Sequence, residues 1–245
     1  MFPTVKPTKF TYELEEIFKV FSREVNSEKI KKVLPRLHQE NSFNKRFSGV
    51  LEVFEDIKSI TERITENIGT SLIIEREIQK REEIDQDLHR KAGKLTSQNK
   101  TDLKSLYVNA KIFLDEYTNF LCWIFGWQGI DNSSITKFYK ALEKYNGHDL
   151  IIQSFKERCF NKIKAIDVYI TGYRDKDIVH TRDKHKKDTK WFVNEMNGAV
   201  RFIGGNRPSI TPQEILFIVV EYVDVSTQFC LEWLNNQINY KIQLD

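Results

Sequence analysis

Apolar side chains recur at intervals of three and four residues along most of the chain, which is the spacing of one face of an α-helix. One such stripe runs through residues 10–25, and a longer one begins near Phe43. A third covers residues 103–124 and is apolar on most of its surface, so we expect this helix to lie centrally in the fold. Two further stripes, within residues 149–170 and 211–234, complete a set that predicts an all-α bundle.

Proline, glycine and short polar residues mark the predicted helix ends. Ser27 is placed to cap a short second helix, and Pro35 breaks or kinks it. The polar stretch Gly93–Lys100 predicts a loop after a strongly charged, exposed helix, and a new helix is expected to open at Thr101-Asp102. The next, short helix is expected to end at Asn146-Gly147, a pair typical of helix stops and turns.

One segment departs from the helical pattern. Asn197-Gly198 lies between two runs rich in Val, Phe and Trp, which is the signature of a β-hairpin. Thr211-Pro212 then supplies an N-cap and a first-turn proline for the last helix. The predicted fold is therefore an all-α helical bundle with an N-terminal helical extension over residues 1–100. The bundle itself covers residues 101–245 of one compact unit and carries a small β-hairpin insertion, about residues 181–209, before its last helix.

Composition narrows the class of protein. With 245 residues, 40% hydrophobic and 30% charged, the chain is typical of a globular protein with a sizeable core. The net charge of +3 is small, so any anionic partner must meet a local basic patch. Three widely spaced cysteines in apolar surroundings predict buried thiols in a reducing compartment. Without a long apolar run or a signal segment, we expect no membrane span and a cytoplasmic protein.

The candidate chemistry is concentrated between Ile170 and Lys190, which includes Arg174, Asp175 and His180. Histidine exchanges protons near neutral pH, and arginine is a permanently charged fork that fits phosphate oxygens. Cleavage of RNA without a metal ion requires a base for the ribose 2′-OH, an acid for the leaving oxygen, and positive charge on the phosphorane. One Arg–His pair supplies part of this set, and two pairs brought together in a symmetric dimer supply all of it.

The run Arg174-Asp175-Lys176-Asp177-Ile178-Val179-His180, at the end of a predicted helical bundle, resembles the motif of the HEPN superfamily. The resemblance implies a core of four or five helices, here roughly residues 101–240. It also implies a metal-independent endoribonuclease without cofactors, active as a homodimer, such as occurs in phage defence and toxin–antitoxin systems. By position, Arg174 would contact phosphate, His180 would act as acid or base, and Asp175 would orient both. The implied partners are RNA, a second copy of the chain, and an antitoxin or other protein.

Basic residues follow the motif, and residues 174–190 contain seven Lys or Arg and four Asp, a net charge of +3. The cations expected to contact RNA phosphates are Arg182, Lys184, Lys186 and Lys187. The alternative is a solvated basic loop in a non-catalytic helical module for protein–protein or RNA binding. In that module, Arg174 would form an ion pair with Asp175 or Asp177, and His180 would be a partly buried structural histidine.

Other polar and aromatic residues give weaker signals. His185 is either a second acid–base group or an ordinary loop histidine. Trp123 and Trp127 stand at helical spacing, and we expect them to pack in the core or at an interface rather than to stack on bases. No metal site is predicted, because no partner at metal-ligand spacing accompanies His38, His89 or His148.

Overall fold

Helices form most of the structure, a computed structural model that describes residues 6–80, 85–127, 129–172, 190–194, 199–203 and 211–242. Within these ranges the α-helices are Thr8–Val25 (α1), Glu28–Val33 (α2), Ser42–Lys80 (α3), Gln86–Phe125 (α4), Ile135–Lys144 (α5), Leu150–Ile166 (α6) and Pro212–Ile242 (α7). Short 3₁₀ turns cover Pro35–Leu37 and Gln39–Asn41, and a π-helical turn, Asp167–Thr171, follows α6. The predicted all-α class is confirmed.

Two five-residue strands, β1 (Lys190–Asn194) and β2 (Ala199–Ile203), pair antiparallel, with Trp191 opposite Phe202. The predicted Asn197-Gly198 turn and most of the remaining insertion, 181–209, lie outside the described residues. The hairpin insertion as a complete unit therefore stays a prediction.

Aromatic packing joins α1 and α3 to α4. The ring centroid of Phe18 lies 5.7 Å from that of Phe47, 5.4 Å from that of Phe54 and 6.1 Å from that of Phe113. All four side chains are buried, and each burial stabilises the fold by about 1.5–3 kcal/mol. The predicted N-terminal extension thus shares one hydrophobic core with the rest of the chain.

The seam between α3 and α4 has a heptad spacing, which keeps one apolar face of α3 against α4 over many turns. The α3 positions with this alternating spacing of four and three are Phe43, Phe47, Val50, Phe54, Ile57, Thr61, Ile64 and Ile68. The core ends at Ile68 on α3 and at Leu103 on α4. Beyond them the two helices continue as a pair, residues 69–80 and 86–102, which we call the arm.

The loop predicted at Gly93–Lys100 is wrong, and so is the helix start at Thr101-Asp102. Helix α4 begins at Gln86, where the Asp85 carboxylate accepts hydrogen bonds from the backbone N–H groups of Asp87 and Leu88 at 3.0 and 3.1 Å. The helix is continuous through Gly93, which costs about 1 kcal/mol relative to alanine. Packing of α4 along α3 offsets this cost. The predicted boundary at residue 100 therefore falls inside a helix.

A buried hydroxyl network joins α4 to α7. The Tyr117 hydroxyl lies 2.7 Å from Thr227 Oγ1 and 3.1 Å from Ser226 Oγ, and Thr118 Oγ1 lies 3.0 Å from the Tyr222 hydroxyl. Burial raises the pKa of Tyr117 and of Tyr222, so both phenols remain neutral donors. Buried hydroxyls must find partners, so this network specifies one alignment of α7 on α4.

Replacing Tyr117 with phenylalanine should lower the free energy of unfolding by about 1–3 kcal/mol, because Ser226 and Thr227 lose a buried partner. Urea denaturation followed by circular dichroism measures the change. Tyr12→Phe is the matched control, since Tyr12 is 61% exposed and its hydroxyl should matter little. Equal effects of the two substitutions would contradict a stabilising role for the network.

His38 gives the fold a pH dependence of known sign. Burial lowers the pKa of its imidazole, contact with the backbone of Val25 acts in the opposite direction, and its Nε2 is buried without a partner among the described residues. The unfolded chain, with a histidine pKa of about 6.5, therefore binds this proton more readily than the folded chain. The stabilisation that comes from keeping His38 neutral is therefore fully present above the unfolded pKa of about 6.5 and is lost as the pH falls through the pKa of His38 in the folded chain.

We therefore expect the free energy of unfolding to fall more steeply between about pH 7 and 5 in the unmodified chain than in a His38→Gln variant. Urea denaturation at several pH values measures both slopes. His148→Gln is the control, because His148 is exposed. A slope unchanged by His38→Gln would show that another group causes the loss.

Candidate functional site

The residues predicted to carry the chemistry lie outside the described part of the chain. This holds for Arg174, Asp175 and His180, and equally for the predicted RNA-binding cations Arg182, Lys184, Lys186 and Lys187. The structure describes what lies on either side of this segment, namely the C-terminal end of α6 before it, and the strands β1 and β2 and the N-terminal end of α7 after it.

The segment follows a π-helical turn at the end of α6. The turn, Asp167–Thr171, packs against α4 and α5, and Ile170 within it is fully buried. Single π-helical turns occur frequently at functional sites, because they shift the following side chains relative to a regular helix. The turn ends immediately before Gly172, which is the last described residue ahead of the segment.

After the strands, helix α7 begins with a well-formed N-terminal cap. The Thr211 hydroxyl accepts a hydrogen bond from the Glu214 backbone N–H at 3.2 Å, and the Glu214 carboxylate accepts one from the Thr211 N–H at 2.5 Å. This reciprocal pair is a capping box, which fixes the first turn of α7. The predicted start of the last helix is confirmed.

Helices α6 and α7 lie antiparallel against each other. Lys162 forms an ion pair with Glu221, and Arg158 with Glu232 at 2.6 Å, so positions further along α6 meet positions earlier in α7. The end of α6 and the start of α7 are therefore at the same end of the bundle. We call this the motif end, formed by residues 166–172 and 211–215.

A buried lysine lies in α4 where it supports α5. The Lys111 ammonium is 2.5 Å from both carboxylate oxygens of Asp115, and only 5% of the residue is exposed. Asp115 Oδ1 also accepts a hydrogen bond from the Ile135 backbone N–H at 2.7 Å, which fixes the first turn of α5. Sequence analysis missed this pair, because a lysine and an aspartate four residues apart are typical of an exposed helix face.

Two buried hydroxyls accompany this arrangement. Thr136 Oγ1, in the first turn of α5, and Thr171 Oγ1, at the end of the π-helical turn, have no hydrogen-bond partner among the described residues. An unpaired buried hydroxyl is costly, so these two groups are uncompensated polar atoms in this part of the fold.

Asp115→Ala should lower the free energy of unfolding by about 3 kcal/mol, because it leaves the Lys111 ammonium buried and the Ile135 N–H without its acceptor. Lys111→Met should lower it by only about 1 kcal/mol. In that variant the Asp115 carboxylate still accepts the Ile135 N–H, and its side chain, 28% exposed, remains partly solvated. Chemical denaturation of both variants tests this order. Equal losses would mean that the carboxylate does not support α5.

The other described residues bear on metal binding, thiol chemistry and membrane insertion. There, no group of three or more His, Cys, Asp or Glu is arranged to hold a metal ion. Cys122, Cys159 and Cys230 are buried and unpaired, as predicted, and burial raises the pKa of Cys122 and of Cys159 to about 12. In the same part of the chain, no helix has the length and apolar character needed to cross a bilayer.

Comparison with known proteins gives no relative from which to assign a family. No protein-family model, curated protein or solved structure matches the chain significantly. Membership of the HEPN superfamily therefore stays a prediction from the run Arg174–His180.

Proposed function

We propose that the chain is a metal-independent endoribonuclease of HEPN type, in which Arg174 and His180 act on one phosphodiester. What supports the proposal is the placement of the described helix ends, because the chain from 173 to 210, which carries the motif and the strands β1 and β2, connects α6 to α7 at the motif end. Buried Ile170 anchors the departure, and the Thr211–Glu214 capping box anchors the return. Arg174 follows the anchored turn by only a few residues, and a group close to a rigid helix end suits a site that must hold its groups in fixed geometry.

In the proposed reaction, the neutral His180 imidazole accepts the proton of a ribose 2′-OH, and the 2′ oxygen attacks the adjacent phosphorus. The bond from phosphorus to the 5′ oxygen breaks, and that oxygen receives a proton from a second acid. Arg174 donates hydrogen bonds to the non-bridging oxygens and stabilises the phosphorane, and Asp175 orients the arginine and the histidine. The products are a 2′,3′-cyclic phosphate and a 5′-hydroxyl.

A second copy of the chain would supply the missing acid. One polypeptide carries one such Arg–His pair, and proton removal and proton donation require two groups, so a homodimer with its twofold axis at the motif end completes the set. Val168 and Tyr169 support association here, since they are 46% and 41% exposed directly before the segment. Exposed apolar side chains grouped at one place favour a protein contact.

The basic residues after the motif would hold the RNA. Arg182, Lys184, Lys186 and Lys187 would contact backbone phosphates, which makes binding dependent on salt concentration. The cellular setting proposed for such an activity is phage defence or a toxin–antitoxin pair, in which an antitoxin or another protein restrains the nuclease.

His180→Ala and Arg174→Ala should each lower kcat/KM for cleavage of single-stranded RNA by about 100-fold or more, because each removes an acid–base or charge-stabilising group. The assay is run in chelator, and the termini of the products are analysed for the 2′,3′-cyclic phosphate.

His148→Ala and Arg90→Ala are matched controls, because both side chains are exposed and lie outside residues 173–189. Both should cleave as fast as the unmodified chain. Undiminished cleavage by His180→Ala and Arg174→Ala would reject the roles assigned to these residues.

The arm favours a second candidate, a non-catalytic helical interaction module. Its seam mixes apolar and polar groups: Ile74 and Leu88 are buried, but so are Ser71 and Asn99, and the Asn99 amide has no partner among the described residues. A weakly apolar pair of long helices offers its faces to a partner helix. Pure protein that cleaves no RNA but loses a protein partner on deletion of residues 69–102 would favour this candidate.

A further inference from the structure

Several segments of this nearly neutral chain carry a net positive charge. Residues 23–46 contain seven Lys or Arg and three Glu, a net charge of +4, and residues 174–190 carry +3. Since the chain sums to +3, all remaining residues together carry −4. The first of these segments has no part in the proposed reaction, and unlike the second it is described by the structure.

Contacts between five elements, namely α2, the following 3₁₀ turn, α3, α4 and α7, gather cations from this segment and from α7 at one end of the bundle. Lys241 Nζ, in the last turns of α7, donates a hydrogen bond to the Lys32 carbonyl at 3.2 Å. Arg36 donates to the Trp123 carbonyl at 3.1 Å and to the Ile124 carbonyl, which ties the 3₁₀ turn to the end of α4. Arg46 lies over the Trp123 ring, 5.0 Å from its centroid.

We call this surface the basic end; its cations are Lys29, Lys32, Lys45, Arg46 and Lys241. All five side chains are exposed, and none forms an ion pair with a carboxylate of the described residues.

Nearby carboxylates neutralise other cations instead. Glu24 pairs with Arg23 at 3.1 Å and Glu28 pairs with Lys31 at 2.8 Å. Glu40, which is exposed, is the carboxylate left over in this segment. The basic end therefore keeps its positive charge, and an anionic polymer that crosses it would release counterions and relieve the repulsion among like charges.

Arg46 adds a feature that a simple charge patch lacks. Its guanidinium is held over a half-buried indole that stacks on Phe120, with ring centroids 6.1 Å apart. A guanidinium held this way loses less freedom on binding, and its outer plane is a surface on which an unpaired base can stack. Trp123 thus packs at the surface of the core, as expected, and at the same time positions a cation.

The basic end is far from the motif end. Helix α7 starts at the motif end with Pro212 and reaches the basic end at Lys241. Thirty residues of α-helix at 1.5 Å each span about 45 Å. One short RNA segment cannot contact the described residues of the motif end and the basic end of the same chain at once.

We propose that the basic end is a second RNA-binding surface, on which Lys29, Lys32, Lys45 and Lys241 contact backbone phosphates and Arg46 stacks on a base. The stacking plane favours single-stranded RNA over an anionic membrane, which offers charge without bases. The choice of RNA as the ligand rests on the proposed nuclease function. In such a nuclease, this second surface would make long RNAs better substrates than short ones.

The test measures binding of a labelled single-stranded RNA of roughly 20 nucleotides, longer than one binding site, by fluorescence anisotropy at several salt concentrations. The full chain carries His180→Ala so that RNA stays intact. Adding Lys29→Gln, Lys32→Gln and Arg46→Gln should weaken binding about tenfold at low salt. The same three changes should reduce the slope of log affinity against log salt by about 1.4, because Lys29 and Lys32 each account for about 0.7 as a single-strand phosphate contact.

The matched control is Lys91→Gln, Lys94→Gln and Lys140→Gln, which changes the net charge equally at exposed positions elsewhere. It should leave affinity and slope nearly unchanged. Arg46→Lys keeps the positive charge but removes the planar guanidinium on which a base can stack. It should therefore weaken RNA binding several-fold and leave the dependence of affinity on salt unchanged. Equal effects of the two triple variants, or loss of binding to anionic vesicles without loss of RNA binding, would overturn the proposal.

Cleavage separates this proposal from the nuclease assignment. With His180 restored, the basic-end triple variant should cleave a short RNA at the unmodified rate and a long RNA more slowly. Absence of cleavage in every variant would reject the nuclease and leave the binding result to stand or fall by itself. A triple variant that cleaves both RNAs like the unmodified chain would reject a role of the basic end in substrate choice.

Discussion

Burial of α4 is the constraint on which the rest of the structure depends. Aromatic side chains of α1 and α3 pack on one side of it, and the hydroxyl network with α7 covers another. A helix surrounded in this way tolerates little polar surface, so internal partners for its buried polar groups stabilise the fold. Tyr117, Thr118, Lys111 and Asp115 are all paired for this reason.

The same packing separates the two ends of the bundle. Because α6 and α7 are antiparallel, the segment with Arg174 and His180 is attached at one end, and the unpaired cations around Arg46 and Lys241 collect at the other. The unpaired cations of the basic end thus lie at exposed helix ends and turns of the bundle. A nuclease with these features would cut at one end and hold the flanking RNA at the other.

The internal network and the surface cations differ in what they contribute. Exposed charges contribute little to the free energy of unfolding, because water and salt screen them. The exposed lysines at the basic end can therefore be replaced with little effect on folding. Buried pairs such as Lys111–Asp115 cannot, because removing one partner leaves a charge or a backbone donor without compensation. Variants of the two groups should therefore separate function from stability.

The sequence by itself determined the all-α class, most helix positions and the caps at Ser27 and Thr211, because apolar spacing and capping are local signals. It failed at Gly93–Lys100, where contacts along α3 outweigh a local preference for a loop. Only the tertiary structure decided that Lys111 is buried, that Arg46 lies over Trp123, and that Lys32 meets Lys241 from 209 residues away. These three features depend on which elements pack together, and the spacing of residues within one helix carries no information about its packing partners.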